Sequence, residues 1–229
     1  MQSVKAVTFD YFGTLVDVDA GGAAGMAAVL AVLGRGDLDA AALYGDWDIR
    51  NVRLYRSSAY RRYRDVAAEA LAATLAGAGI TLPDRTGVSA LAETLLAGLV
   101  EQAPPHPEVP AILDALAAKY PLMPITNMDS DLFARSRLAA FFPSVTTAEM
   151  AQAYKPSERI FRLALERLAV APGEVLHASL ASWADIDGAK PLGMRVAWIN
   201  RADDRLGPWQ PRPDHEFADL TGLRGVLNV

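Results

Sequence analysis

The sequence predicts an α/β protein: a mostly parallel sheet with helices on both faces and an α-helical block inserted after the first strand. Three observations predict it. Short β-branched or aromatic runs close on turn or polar residues; helix-spaced apolar residues separate the later runs; and one long stretch, residues 18–100, shows helical spacing and no strand pattern.

Residues 4–9 read as a buried strand ending at Asp10 and a glycine turn. Residues 18–100 are rich in Ala, Leu and Arg, as in "YRRYRDVAAEALAATLAGAG" and "SALAETLLAGLVEQA", and form the helical block. A proline-rich hinge, "APPHPEVP", leads to a helix at 111–119 and an apolar strand, "LMPITN", at 122–127. Residues 145–148 make a short strand. In "KPSERIFRLALERLAV" Pro156 takes the first helical position, Glu158 the first turn, and Ile160, Phe161, Ala164, Leu165 and Leu168 one face. "EVLHASL" and "RVAWIN" are two more buried strands, with the helical "DIDGAKPLG" between them. This rhythm requires a parallel sheet covered on both sides, built from residues 1–17 and 101–229, with 18–100 as a cap.

With 52% hydrophobic residues, 229 positions suffice for one large core or two smaller ones. A net charge of −5 lacks the footprint of a nucleic-acid binder, so an anionic small-molecule substrate needs a local basic site. The absence of cysteine excludes disulfides, thiolate nucleophiles and Cys-ligated zinc, and fits a reducing compartment. No run approaches the roughly 18 apolar residues of a membrane span, and "MQSVKAVTFD" has no long apolar leader. The expectation is a cytoplasmic protein that engages neither membrane nor nucleic acid; apolar cap helices are compatible with a homodimer.

Ligands of open parallel sheets bind beyond the carboxyl ends of the strands. There the sequence places Asp10 and Thr14, then Thr126 and Asn127, then Lys155, then Asp185. Singly, each has an ordinary reading as a turn former, helix cap or solvated lysine. Together they supply what a covalent aspartyl hydrolase requires: a nucleophile, an anion anchor, a cation to hold the carboxylate ionised, and a polar group for the second half-reaction. His106, His177 and His215 lack metal-ligand spacing, and His177 reads as a satisfied core histidine. Of the aromatic residues, Phe12 and Trp183 are expected beside the site.

The chain resembles the haloacid dehalogenase superfamily of hydrolases, through "FDYFGTL" around Asp10, "ITN" at Thr126, "YKPSERIF" around Lys155 and "HASLASWADIDGAKPLGMRVAWINR" around Asp185. The resemblance implies a Rossmann-like sheet, a helical cap and Asp10 as nucleophile. Phosphatases of the superfamily carry an aspartate acid two residues after the nucleophile; here Phe12 stands there and can transfer no proton. Where their fourth motif has the first of two acids this chain has Leu180, which leaves fewer oxygen ligands for magnesium.

The branch without both features resembles L-2-haloacid dehalogenases, which need no metal or other cofactor and release a halide that needs no proton. That resemblance implies Asp10 as nucleophile, Lys155 as its cation, Asp185 as the group that positions water, and Phe12, Thr14, Thr126, Asn127 and Ser182 around the substrate. A cap arginine is also expected; among Arg50, Arg53 and Arg56 the "LYR" context favours Arg56. Phe161, where these dehalogenases tend to have tyrosine, and Leu180, Ala181 and Ser182, where Ser and Asn are usual, depart from the pattern. The alternatives are a phosphatase using magnesium and a catalytically silent binding protein.

Overall fold

The structure is a computed structural model that describes residues 3–57, 59–81 and 85–229, with the side chains of Arg85 and Thr86 left aside. The chain divides into two compact units. One comprises Met1–Val16, Pro105–Ser130 and Leu138–Val229; the other comprises Asp17–Pro104 and Asp131–Arg137.

The first unit holds a six-stranded sheet in the order β3-β2-β1-β4-β5-β6, every neighbouring pair parallel. Its strands are β1 (Ala6–Phe9), β2 (Leu122–Thr126), β3 (Thr146–Thr147), β4 (Val175–Ser179), β5 (Arg195–Ile199) and β6 (His215–Phe217). Strands β1, β2 and β4 are buried along their whole length, which is why they read as continuous runs rather than alternating ones. Pro124 is tolerated inside β2 because β3 pairs only with Ile125 and Thr126. From β1 the chain builds outward to β2 and β3, then returns to the other side of β1 for β4 and beyond. The strand order therefore reverses between β1 and β4, and the crevice at their carboxyl ends is where such a sheet binds ligands.

Two local expectations need correction. The helix Glu158–Leu168 starts after Pro156, because Ser157 is its N-cap and accepts from the Arg159 N–H at 3.4 Å. Leu168 is half-exposed, leaving Ile160, Phe161, Ala164 and Leu165 as the buried stripe. Strand β6 was not expected at all. It is three residues long, half-exposed and preceded by Pro211 and Pro213, so no apolar run marks it; only its pairing with β5 makes it a strand.

The second unit is helical among its described residues: α1 (Val18–Val32), α2 (Ala40–Ser57), α3 (Tyr63–Gly77) and α4 (Arg85–Ala97), the last continuing into a π-type turn, Gly98–Gln102. Residues 58 and 82–84 of the expected helical block lie outside the described residues. Helix α1 meets this turn backbone to backbone: a Cβ on Gly98 would lie 2.4 Å from the Gly25 Cα, so neither glycine admits a side chain. Trp47 of α2 is fully buried and donates to the Ala67 carbonyl of α3 at 3.0 Å. No helix among the described residues is long and apolar enough to cross a membrane. The segment Asp131–Arg137, expected with the sheet, groups with these helices: Arg64 pairs with Asp131, and Arg135 with Glu93 and Glu101.

Candidate active site

The site is built on the turn that follows β1. Gly13, at φ +74°, lets the chain reverse within a few residues, with the Leu15 N–H donating to the Tyr11 carbonyl at 2.9 Å and the Gly13 N–H to that of Val16 at 3.0 Å. The reversal carries Thr14 back over the strand end. Its hydroxyl donates to Asp10 Oδ2 at 2.8 Å and accepts from the Leu180 N–H at 2.8 Å, which ties the β1 turn to the end of β4.

Asp10 is 6% exposed. Its other oxygen, Oδ1, accepts from Lys155 Nζ at 2.6 Å, and the same ammonium donates to Asp185 at 2.9 Å (Oδ1) and 3.1 Å (Oδ2). Lys155 is 2% exposed and Asp185 fully buried. A buried lysine is therefore shared by two buried carboxylates. Asp185 lies within a π-type turn, Ser182–Ile186, and caps no helix: its oxygens are taken by Lys155 and by His177, whose Nε2 lies 2.8 Å from Oδ1. His177 is fully buried on β4, and its Nδ1 lies 2.9 Å from the Thr8 hydroxyl of β1. It is a satisfied core histidine, as expected, yet its partner is an acid of the site.

These contacts decide the protonation preferences. Burial raises the Asp10 pKa above the usual carboxylate range; Lys155 and Thr14 oppose that shift, and Asp185 adds to it. The sequence leads one to expect Lys155 to leave Asp10 depressed. Lys155 does act in that direction, but burial outweighs it. At Asp185 burial is likewise the largest influence, yet Lys155 and His177 together outweigh it and hold the carboxyl below its usual range. Lys155 keeps its proton more firmly than usual, because the two carboxylates overcome its burial. The pair thus separates into an acid that ionises easily and one that ionises reluctantly.

Thr126 ends β2, fully buried, and its hydroxyl has no hydrogen-bond partner among the described residues. A buried unpaired donor at a strand end is a place for a ligand oxygen. The Asn127 side-chain carbonyl accepts from the Lys155 N–H at 2.8 Å, so this residue helps to set the path of the lysine's backbone. Phe12 is half-buried, its ring edge-on to Tyr11 with centroids 5.7 Å apart. Ser182 and Trp183 are half-buried on the turn that carries Asp185. Phe161 is fully buried, edge-on to the His177 ring at 5.7 Å. Arg56 belongs to the other unit, exposed in the last turn of α2. No group of three or more His, Cys, Asp or Glu suited to a metal ion occurs among the described residues, and the two site carboxylates already share an ammonium.

Sequence reasoning found Asp10, Thr14, Lys155 and Asp185, which the structure brings into direct contact. It missed Thr8 and gave His177 no part in the site. Both are polar residues with apolar neighbours on either side in their strands, and the β1–β4 register sets them opposite each other. That coincidence is the signal, and it requires the register.

A sequence profile of haloacid dehalogenase-like hydrolases matches residues 4–193. The (S)-2-haloacid dehalogenase H-109 of Pseudomonas putida is 28% identical over 229 aligned positions, covering 96% of each chain. A 5-amino-6-(5-phospho-D-ribitylamino)uracil phosphatase of Escherichia coli is 33% identical over 120 positions, 50% of this chain and 49% of that one. Among solved structures, an L-2-haloacid dehalogenase from Xanthobacter autotrophicus superposes with a TM-score of 0.83 at 25% identity, covering 98% of both chains.

Proposed function

The chain belongs to the haloacid dehalogenase-like hydrolases, and from that premise we propose that it hydrolyses a short 2-haloacid to the 2-hydroxy acid through an ester on Asp10, without a metal. One observation carries the reading: a buried carboxylate, oriented by Thr14 and Lys155, is followed two residues later by Phe12 rather than by a proton donor. A reaction at that carboxylate suits a leaving group that departs as a stable anion. The full-length likeness to (S)-2-haloacid dehalogenases supports it.

In this reading an Asp10 oxygen attacks the halogen-bearing carbon, the carbon–halogen bond breaks and halide leaves with its electron pair. Water then adds to the Asp10 ester carbonyl, one of its protons goes to the departing alkoxide so that the 2-hydroxy acid leaves, and the carboxylate is regenerated as the second proton is lost to solvent. Lys155 holds the attacking oxygen; Asp185 orients the water. We assign the Thr126 hydroxyl to the substrate carboxylate, Asn127 to the halide, and Ser182 and Phe12 to the substrate pocket; Thr14, whose hydroxyl proton goes to Asp10 Oδ2, orients the nucleophile rather than the substrate. Helical residues 18–100 act as the cap, with Arg56 as its cation for the substrate. Burying two carboxylates and a lysine opposes folding, which argues against a silent binding protein.

The test is halide release from L-2-chloropropionate in the presence of a chelator, with intact mass spectrometry of Asp185→Asn to trap the Asp10 ester. Halide release and a trapped adduct are the expected results. The partial likeness to a phosphatase motivates a second reading, which magnesium-stimulated turnover of an aryl phosphate, with no halide released from haloacids, would establish in its place.

A further inference from the structure

We infer that His177 is a positioning residue for the reaction at Asp10: by donating to Asp185 it leaves the Lys155 ammonium free to hold the nucleophile. The inference rests on the reading of Asp10 as nucleophile.

The geometry sets a competition. Lys155 Nζ reaches Asp10 Oδ1 at 2.6 Å and the two oxygens of Asp185 at 2.9 and 3.1 Å. Its shortest contact is to the acid that must attack. An ionised carboxylate only accepts, so at the 2.8 Å contact with Asp185 Oδ1 the His177 Nε2 carries the proton and donates. Asp185 therefore has a second charge-assisted donor and draws less on the lysine. The ring cannot turn away. Thr8 faces its Nδ1 at 2.9 Å from β1, the Phe161 ring packs against it near-perpendicular from the helix Glu158–Leu168, and β5 sets Val196 beside it in register. The charged groups facing it are Asp185 directly and Lys155 with Asp10 beyond; the other neighbours named are uncharged. His177 itself is fully buried and sits behind Asp185, so it acts through that residue and not on substrate.

Removing the donor leaves Asp185 reliant on Lys155, lengthens the Asp10–Lys155 contact and makes Asp10 harder to ionise. Two variants separate this from simple packing. His177→Phe keeps an apolar ring and removes the donor, whereas the side-chain amide of His177→Gln can place an N–H near the Nε2 position. The readout is the pH titration of the Asp10 carboxyl carbon by NMR, which needs no substrate. His177→Phe is expected to raise the Asp10 midpoint by about one pH unit, and His177→Gln to restore most of that shift. The acid limb of kcat with L-2-chloropropionate should move in parallel. In the unmodified protein the His177 Nε2 proton should appear downfield and slow to exchange, a measurement that stands even if a variant does not fold.

An unchanged Asp10 midpoint in His177→Phe, or an Nε2 without a proton, overturns the inference. Lower thermal stability without a midpoint shift assigns His177 to packing alone. If the unmodified protein releases no halide from any haloacid, the proposed reaction fails, while the titration still decides the role of His177.

Discussion

The strand-end site and the helical unit each carry a network of acids and bases, set in different surroundings. In the helical unit Arg64 contacts Asp131 and Glu93, Arg135 contacts Glu93 and Glu101, and Arg62 reaches Asp131, with side chains 27–54% exposed. Water screens such pairs, and each contributes little. At the strand ends Asp10, Lys155 and Asp185 are at most 8% exposed, and there are two carboxylates for one lysine. Low exposure makes that imbalance matter: one acid is held ionised and the other is driven toward its protonated form. Charge count alone does not distinguish the networks; desolvation does. The reluctant acid, Asp10, is the proposed nucleophile.

Asp10→Asn tests the comparison most severely. Turnover should fall by at least about a thousandfold, because the proposed nucleophile is gone. The melting temperature should hold or rise, because one lysine then balances one carboxylate. Thermal melting beside a halide-release assay checks both, and a clear loss of stability would show that Asp10 is not the surplus charge.

Lys155→Met comes next. It leaves two buried carboxylates without their cation and should cost about 3–5 kcal/mol by denaturant unfolding at neutral pH, with the deficit shrinking on acidification as the carboxyls take up protons.

The pH dependence sharpens the contrast between the two acids. Asp10 is raised in the folded state, so its contribution to stability is present below its unfolded pKa and is lost as pH rises through the folded value. Asp185 is depressed, so its contribution is present above its unfolded pKa and is lost as pH falls through the folded value. Since the proposed reaction needs ionised Asp10, the acid limb of kcat/KM should lie above the range of an ordinary aspartate. A limb at or below that range would contradict the burial argument.

Arg135→Met should have the smallest effect, less than about 1 kcal/mol, and 1 M salt should remove most of it. A loss as large as that of Lys155→Met would erase the distinction between the networks.

Much of the site was legible because strand ends are legible: an apolar run followed by Asp10, by Thr126 or by the Lys155 segment marks the edge where ligands bind. Residue type then narrowed the chemistry, with Phe12 and Leu180 informative for what they cannot do. Less legible were elements that owe their state to neighbours. The three residues of β6 have no run of their own, and Asp131–Arg137 groups with the helices, its Asp131 and Arg135 pairing with Arg64, Glu93 and Glu101 far away in sequence. The start of the helix at Glu158 turned on whether Pro156 or Ser157 meets its first N–H groups, a choice of two adjacent residues.

The sequence by itself determined which segments become strands or helices and which residues bring acid, base and hydroxyl to the strand ends. Those properties are local, set by side-chain period and by the residue that closes each run. Tertiary structure alone decided that Thr8 lies against His177, 169 residues away, and that Asp10 shares Lys155, 145 residues away, with Asp185. Sharing and burial belong to the register between distant strands, and the order in which the two acids ionise follows from them rather than from any one segment.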